Sequence, residues 1–418
     1  MDKPTMMIIA AVVLGGCAVD PLEDRNPLPP SKSTGANPEA LRAWLWAYDA
    51  RTDSLRVYHT IDKQCWESFH LDLNPGNGMY RGGLVGGGLY PTLWFRRSNT
   101  VTALTNGILD HGNHGHIVHP ELHVEMSFDN GFSVTDMSVT PDGKRIVVCG
   151  AGRSWPPDSS VVTVIDYLTT ETVYHRPRNR VTYVVAAEDR ILFGNDQSRT
   201  AHIIGLENGP IISTISTDTL VTDGVYHAPT KTSFLAGRNG IDVVDMQSGR
   251  VVKAIAYNRN AFIARMLCAP GSDYALGLSD SGAGTVDYMT VIDMSNHTVN
   301  DYPIPGASLA PNLSDGTVAL SGDGTVAVVS DMALRVLYRL SLDDGTIERA
   351  VAPNTACSVA CNWDGKRVWA LARDKGYQIS YEKDAIVDSI ALGPGINWIM
   401  VTSFRNNSAL YDSNDHTF

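Results

Sequence analysis

A chain of 418 residues with 43% hydrophobic and 19% charged residues has enough apolar side chain to bury a core, which excludes an intrinsically disordered protein. The formal net charge of −12 disfavours nucleic acid and anionic membrane surfaces as electrostatic partners. The 37 glycines and 21 prolines are spread along the chain, as many short strands joined by tight turns require.

The N-terminus is predicted to be a lipoprotein signal peptide, residues 1–16. Met6–Leu14 is an apolar run of signal-peptide length that is too short to span a membrane. The following Leu14-Gly15-Gly16-Cys17 resembles a bacterial lipobox, in which the cysteine becomes the lipid-bearing first residue of the mature protein. Cys17 is therefore predicted to anchor the protein on the periplasmic side, at the outer membrane, or at the cell surface. The alternative is a cytosolic protein with an apolar N-terminus.

Residues 17–40, which begin with the lipidated cysteine, are predicted to be a flexible tether because they are rich in proline, serine and charge without periodicity. Residues 41–418 form the predicted folded domain. Within it a strand, an Asp-Gly turn and a second strand recur, and these three segments carry the fullest copies: Met137–Cys149, Val318–Ser330 and Val359–Leu371. A second hairpin with a Val-Ile-Asp type of ending recurs alongside, at Val164–Asp166, Val243–Asp245 and Val291–Asp293.

Weaker first turns are predicted near Gly86, Glu188, Pro229 and Gly271. Successive turns lie about 40 to 55 residues apart, the period of a four-stranded propeller blade. A last turn is predicted near Asn406, and Trp44–His59 supplies the hairpin that this final blade lacks. The sequence thus predicts an all-β chain folded as a single β-propeller, with about eight blades, or about seven if one weak repeat is an insertion. Both ends of the chain build the last blade, which leaves no open sheet edge.

Residues 110–123 hold five of the chain's 12 histidines. Imidazole and carboxylate are the ligands that zinc prefers, in tetrahedral sets. His111, His114 and His116 are predicted ligands, with Asp110 or His119 completing the set. Four protein ligands would suit storage or transfer, whereas three would leave a position at which water is activated. The alternative is a solvated polar loop that happens to be rich in histidine.

The glycines of this segment and Pro120 predict a loop rather than a strand. In the first complete blade we expect Met79–Gly82 to be the inner strand and Thr92–Phe95 the second. Val101–Leu104 is the expected third strand and Val124–Phe128 the outer one. The histidines then fall in an enlarged loop between the third and outer strands, and Glu121 and Glu125 are expected to orient the ligand imidazoles.

Other candidate residues carry weaker signals. Cys357 and Cys361 are close enough for a disulfide in an oxidising compartment. The alternative is that Cys149, Cys268 and Cys361 are core residues. His227 precedes a turn at a blade's entry, where a structural role is the default and a ligand or gating role, as a second site, is the alternative. The chain has no Gly-x-Ser-x-Gly elbow, P-loop or Cys-x-x-Cys-His motif, so no motif predicts an enzyme.

Three segments together resemble the periplasmic zinc metallochaperones of the AztD type: the N-terminal hairpin, Met79–Gly82 and, above all, Asp110–His114, which is similar to that family's Asp-His-Gly-x-His run. Gly224–His227 followed by Ala236–Gly240 is a fainter likeness. The resemblance implies a β-propeller that binds Zn and serves the solute-binding protein of an ABC zinc importer; we expect a monomer. This chain departs from the family in its lipobox and in lacking cysteines around His227.

Two functions from other classes stay open at this point. One is a cofactor-binding propeller enzyme of the haem d1 or quinoprotein kind, and the other is a propeller that acts as a surface for protein interaction, because fold alone does not fix function. Storage or delivery, and zinc or another divalent metal, are likewise open alternatives.

Overall fold

A computed structural model gives the structure, and it describes the following residues: 43–49, 51–52, 54–60, 63–70, 84–87, 92–97, 100–105, 108–110, 115–117, 122–127, 132–152, 160–167, 169–177, 179–207, 209–257, 262–269, 271–280, 287–304, 318–331, 334–353, 356, 358–362 and 364–403. The predicted signal peptide, Cys17, the tether, Met79–Gly82 and the turn near Asn406 lie outside these residues.

All regular secondary structure among the described residues consists of β-strands. The strands are β1 (Ala43–Asp49), β2 (Ser54–His59), β3 (Cys65–His70), β4 (Leu84–Gly87), β5 (Thr92–Arg97), β6 (Thr100–Thr105), β7 (Ile108–Asp110), β8 (Gly115–Ile117), β9 (Leu122–Ser127), β10 (Phe132–Val139), β11 (Arg145–Gly152), β12 (Val161–Asp166), β13 (Thr172–His175), β14 (Tyr183–Ala186), β15 (Arg190–Gly194), β16 (Thr200–Gly205), β17 (Ser213–Ser216), β18 (Val221–His227), β19 (Thr232–Gly237), β20 (Gly240–Asp245), β21 (Arg250–Ala256), β22 (Phe262–Cys268), β23 (Tyr274–Asp280), β24 (Asp287–Asp293), β25 (Thr298–Ile304), β26 (Val318–Leu320), β27 (Val326–Asp331), β28 (Val336–Ser341), β29 (Ile347–Val351), β30 (Ser358–Cys361), β31 (Val368–Ala372), β32 (Lys375–Ser380), β33 (Ala385–Ala391) and β34 (Ile396–Ser403). No membrane-spanning helix occurs among these residues.

The strands pair into antiparallel four-stranded sheets, as propeller blades require. Six sheets use four consecutive strands each: β10–β13, β14–β17, β18–β21, β22–β25, β26–β29 and β30–β33. A seventh has the order β4-β5-β6-β9, and an eighth has the order β3-β2-β1-β34. The chain is therefore an all-β propeller. The eight four-stranded sheets of the described residues favour the prediction of eight blades.

The sheet β3-β2-β1-β34 joins the two ends of the described chain. β1 pairs with β34 along its whole length, with Trp46 opposite Met400 and Ala47 opposite Ile399. The predicted sharing of one blade is confirmed, but the division differs from the expectation. The N-terminal part supplies three strands rather than a hairpin, because β3 adds to the edge of β2.

Asp-Gly turns join the first two strands of a sheet where the repeat predicted them, between β10 and β11, β26 and β27, and β30 and β31. Gly143 shows why glycine is needed there, because its φ of 74° is in the left-handed region. The preceding Asp142 accepts a hydrogen bond from the Thr140 hydroxyl at 2.6 Å and another from the Lys144 backbone N–H at 3.0 Å. The turn is thus fixed by its local chemistry.

The four weaker turn predictions can be compared with the strand bounds. The turns near Glu188, Pro229 and Gly271 lie between the first and second strands of their sheets, as predicted. The one near Gly86 is displaced by a few residues, because Gly86 itself lies within β4, opposite Leu93 of β5, and the connection to β5 follows Gly87. A glycine-rich sequence permits a turn but does not impose one when a neighbouring strand offers backbone partners.

The core lies between neighbouring sheets, because the middle strands are buried on both faces. Every residue of β12, β19 and β27 is buried. Val147 and Val162 of one sheet form a continuous cluster with Ile191 and Phe193 of the next. Each such side chain contributes about 1.5 to 3 kcal/mol when it is fully removed from water. The face-to-face packing holds the strand ends, and the loops on them, in fixed positions.

Candidate metal centre

The predicted metal-binding segment lies in a connection that is longer than its equivalents. Residues 106–121 separate the third strand β6 from the outer strand β9. In other sheets the corresponding connections are residues 246–249, 294–297 and 381–384. The local enlargement predicted from the sequence is therefore present, and it is placed on a rigid sheet.

The connection is not a simple loop. β7 and β8 pair as a separate two-stranded sheet, with Ile108 opposite Ile117 and Asp110 opposite Gly115. The loop prediction is thus wrong for Asp110 and His116, which lie in strands. Its physical cause is local: β-branched residues at both ends of the hairpin favour extended backbone, and pairing satisfies backbone groups that a loop would leave to water.

Two of the predicted ligands lie in the hairpin, at neighbouring register positions that are not paired with each other. Asp110 ends β7, and His116 lies in β8 opposite Leu109. His111, His114 and His119 lie outside the described residues, as does Glu121, whereas Glu125 lies in β9 opposite Thr102. No group of three or more His, Cys, Asp or Glu side chains suited to a metal ion occurs among the residues that the structure describes. The fit to zinc accordingly depends on the donor types in residues 110–119, which are those that zinc prefers.

His227, the predicted second site, is buried and has both ring nitrogens occupied. Nδ1 lies 2.7 Å from the Thr230 hydroxyl, and Nε2 lies 3.1 Å from a carboxylate oxygen of Asp273. Asp273 belongs to the turn between β22 and β23 in the neighbouring sheet, and its pKa is held below the usual range by the hydroxyl of Ser295 and by His227. The imidazole therefore ties two sheets together.

Comparison with the other turns supports this structural role. His227 ends β18, at the place where Thr140 and Ser321 follow the first strands of their sheets. Thr140 and Ser321 each hydrogen-bond an aspartate two residues later, at 2.6 Å in both cases. His227 makes the corresponding contact to Thr230, and its larger ring also reaches Asp273. A ligand role at this position would require breaking one of these bonds.

The cysteines of the described chain are thiols. Cys361 is free and buried, so the predicted disulfide with Cys357 is wrong, and burial raises the pKa of this thiol to about 12. Cys149 is also a buried thiol, and Cys268 packs partly buried against a core cluster. The core interpretation of Cys149, Cys268 and Cys361 is therefore confirmed.

A pair of carboxylates on the first strands of two sheets was missed by sequence reasoning. Asp136 of β10 accepts a hydrogen bond from the Val184 backbone N–H at 2.9 Å, and Asp223 of β18 accepts one from the Met266 N–H at 2.7 Å. Burial raises the pKa of Asp223 to about 7, and the negative charge of Asp136 adds to this shift. These carboxylates link each first strand to the next, and each ends the same short Val-Thr-Asp run, at residues 134–136 and 221–223.

A second feature that the sequence did not indicate is a cavity of about 490 Å³ beside β13, β15 and β16, lined by His175 and His202 among other residues. These histidines lie in β13 and β16, strands of two different sheets, and only sheet packing brings them together. Two imidazoles fall short of the three or four ligands of a zinc site.

Comparisons with known proteins give structural likenesses alone. No protein-family model matches the chain, and no curated protein matches it. The structure of apo AztD from Citrobacter koseri superposes with a TM-score of 0.63 at 11% identity, covering 86% of this chain and 98% of that one. A crystal structure of Citrobacter koseri AztD gives 0.62 at 12% identity with the same coverage.

A third similar structure is the dihydro-haem d1 dehydrogenase NirN in complex with DHE. Its TM-score is 0.56 at 14% identity, and the match covers 91% of this chain and 78% of that one. At such identities the likenesses establish the fold only. This chain has an AztD-like β-propeller fold, and fold alone does not decide between the activities found on it.

Proposed function

We propose that this protein is an extracytoplasmic zinc-binding propeller that captures Zn and delivers it to the solute-binding protein of an ABC zinc importer. The observation that carries the proposal is the enlarged connection between β6 and β9, which contains the β7–β8 hairpin. Residues 110–119 of this connection include Asp110 and four histidines. In the proposed site His111, His114 and His116 bind zinc, and Asp110 or His119 completes the set.

The AztD-like fold supports this function over a generic metal site. The Asp-His-Gly-x-His run, which resembles that of the AztD-type metallochaperones, lies on a fold to which two AztD structures are similar over 86% of the chain. Sequence pattern and fold are separate observations, since the superposition was reached at 11 to 12% identity. Delivery rather than storage follows from the resemblance and is part of the proposal.

Zinc binding is tested by titrating chelator-treated protein and measuring the dissociation constant by competition with a chromogenic chelator. We expect the double variant His114→Ala/His116→Ala to lose at least about tenfold in affinity, because a tetrahedral site deprived of two ligands loses chelation. His70→Ala is the matched control, since His70 is exposed at the end of β3, outside the segment. Equal affinity in all three proteins would contradict the site.

Delivery is tested separately from binding. Zinc-loaded protein is mixed with the solute-binding protein encoded with a zinc importer in the source genome, and the metal content of each is measured after separation. Transfer faster than the release of zinc to a chelator of equal affinity supports direct hand-off. If the rate of transfer equals the rate at which zinc is released to solvent, delivery is contradicted and a zinc-storage function is left.

A second candidate function is a cofactor-binding enzyme, and the likeness to NirN favours it. It predicts a chromophore in protein purified from the native host. An absorption spectrum with no band in the visible region would eliminate this candidate.

The anchored location at the periplasmic side is also a proposal, since Cys17 lies outside the described residues. Radiolabelled palmitate is expected to label the full chain but not a Cys17→Ser variant. Labelling of neither protein would remove the lipid anchor from the proposal.

A further inference from the structure

The cavity beside β13, β15 and β16 shares no lining residue with the histidine-rich connection. Its walls come from the segment 175–181, which leads from β13 to β14, from the strands β15 and β16, and from residues 209–211 before β17. A volume of about 490 Å³ is within the range of cavities that take small organic molecules.

The charge of the lining is opposite to that of the whole molecule. Arg176, Arg180, His175 and His202 line the cavity, and its lining contains no aspartate or glutamate in the described chain, although the net charge of the chain is −12. Arg180 is exposed and forms no ion pair with another described residue. A cation would meet repulsion here, whereas an anion would find a guanidinium group without a carboxylate partner.

His175 gives the second and independent observation. It is 6% exposed, and its Nε2 atom is buried without a hydrogen-bond partner among the described residues. The ring also hydrogen-bonds the backbone of Leu206, and burial lowers the pKa of His175. Buried polar atoms are nearly always paired in folded proteins, so this nitrogen is an unsatisfied group of a residue that lines the cavity.

The remaining wall has an apolar part beside the polar side chains of Asn179, Asn195, Ser198 and Thr200. The ring of Phe193 lies 5.5 Å from the ring of His202, centroid to centroid, and is tilted by 40° to it. Ile204, Ile211 and Pro210 extend this surface. A ligand that fills the cavity therefore needs an apolar body as well as a charged group, since burying the apolar wall contributes free energy in proportion to its area.

We propose that this cavity binds a small organic anion, a carboxylate or phosphate joined to an aromatic or compact aliphatic body. The anion lies against Arg180 with His175 beside it, and the apolar body lies on Phe193 and Ile204. The site is independent of the zinc segment, so it stands or falls separately from the proposed transport function.

The proposal is tested on the full chain by isothermal titration with benzoate and phenyl phosphate at pH 8 and pH 6, with benzyl alcohol as the uncharged probe. At least one anion is expected to bind at least tenfold more tightly than the alcohol, and comparison of the two anions identifies the preferred charged group. Equal affinity for all three probes, or no saturable binding at millimolar concentration, would overturn the proposal.

Variants locate the binding. Arg180→Gln is expected to weaken anion binding about tenfold, which corresponds to 1.4 kcal/mol, without affecting benzyl alcohol. Arg199→Gln is the matched control, because Arg199 is exposed in the bend before β16 but does not line the cavity. If both variants weaken anion binding equally, the effect is one of overall charge and the site is refuted.

The role of His175 is tested by pH. The titratable and charged groups that line the cavity are His175, His202, Arg176 and Arg180. Protonation of His175 makes Nε2 a donor, so anion affinity in the native protein is expected to rise at least threefold from pH 8 to pH 6. In His175→Gln the increase in anion affinity is expected to be smaller, because only the protonation of His202 then contributes to it. An unchanged pH profile would remove His175 from the site, and circular dichroism checks that the variant is folded.

Discussion

Both ring nitrogens of His227 are held by side chains from two different sheets, and this arrangement defines what the residue can do. Nδ1 meets Thr230 in its own turn and Nε2 meets Asp273 across the sheet boundary, while the ring itself is buried. A buried imidazole satisfied in this way stabilises the fold and is not available as a metal ligand.

The first prediction at this scale separates structure from metal binding. His227→Ala is expected to lower the free energy of unfolding by about 2 kcal/mol, because it removes two hydrogen bonds and buried ring surface. Zinc affinity is expected to stay unchanged. Urea unfolding and zinc titration measure the two effects, and a variant that loses zinc while keeping its stability would show a ligand role instead.

Asp273→Asn is the companion variant for the same contact. Because the Asp273 side chain is 59% exposed, its contact with His227 is screened by solvent, and loss of this contact is expected to cost below about 1 kcal/mol. The pKa of Asp273 is lowered in the folded protein, so its contribution is present above the pKa of the unfolded chain and is lost as pH falls through the folded value.

A second prediction concerns the raised pKa of Asp223, about 7. The folded protein holds this proton more tightly than the unfolded chain, so the stabilising contribution is complete below the unfolded pKa of about 4 and is lost as pH rises towards 7. Relative to Asp223→Asn, the unfolding free energy of the native protein is expected to fall by roughly 2 to 4 kcal/mol between pH 4 and pH 8.

Unfolding in urea at a series of pH values measures this difference. Asp136→Asn supplies the control, because it removes the neighbouring negative charge that raises the pKa of Asp223. The fall in stability should then move to lower pH. A difference that is independent of pH in both comparisons would mean that Asp223 is ionised throughout and solvated.

At the scale of single elements, the turns between first and second strands show how backbone conformation and packing can be separated. Gly271 and Gly324 both have a left-handed backbone, with φ of 76° and 70°. A Cβ on Gly271 would meet no atom within 4 Å, whereas a Cβ on Gly324 would overlap the side chain of Ser272 from the neighbouring sheet.

This pair gives the third prediction. Gly271→Ala is expected to cost about 1 to 2 kcal/mol of unfolding free energy, which is the conformational penalty of a left-handed L-residue. Gly324→Ala carries the same penalty plus that of displacing Ser272, about 1 to 3 kcal/mol more. Thermal unfolding of both variants measures the costs. Equal costs would mean that the turn moves away from Ser272 without loss.

The β7–β8 hairpin is the element that carries the zinc proposal, and its pH response is the fourth prediction. Zinc competes with protons for imidazoles whose unperturbed pKa is about 6.5. If three histidines bind, log affinity is expected to fall with a slope approaching about three per pH unit near pH 5, or about two if a carboxylate replaces one of them. Zinc titration from pH 7.5 to 5 gives the slope, and a flat profile would exclude the segment as the site.

The whole molecule depends on the sheet that joins β1 to β34. Trp44, Trp46 and Tyr48 of β1 are fully buried, and Ile399 of β34 donates its backbone N–H to the Ser358 hydroxyl of the neighbouring sheet at 3.0 Å. A strand from the C-terminal part of the described chain thus holds the N-terminal strands in place.

The fifth prediction tests this closure. Ile399→Pro is expected to cost about 3 kcal/mol or more and to broaden the unfolding transition, because proline removes the backbone N–H that donates to the Ser358 hydroxyl of the neighbouring sheet. Val387→Pro is the matched control, since Val387 lies at a bulge of the outer strand β33, between the pairs of Ile386 and Asp388. Similar losses of unfolding free energy in both variants would mean that the pairing of β34 with β1 stabilises the fold no more than the outer strand β33 does.

The local chemistry of the sequence was sufficient to predict several features of this protein. The Asp-Gly turns and the all-β architecture follow from residues that are close in the chain, since turn geometry and strand alternation are short-range properties. The enlarged segment with Asp110 and His116 was recognisable for the same reason, because its donors are close in sequence. Its zinc ligation remains the proposal that these donors support.

Other features were decided only when distant strands packed together. Gly86 lies in a strand because β5 offers it backbone partners. His227 contacts Asp273, which is 46 positions away in the chain. The cavity with His175 and His202 exists because separate sheets and connections meet there. Sequence patterns report the preferences of neighbouring residues, whereas contacts between sheets depend on register and twist that accumulate over many strands.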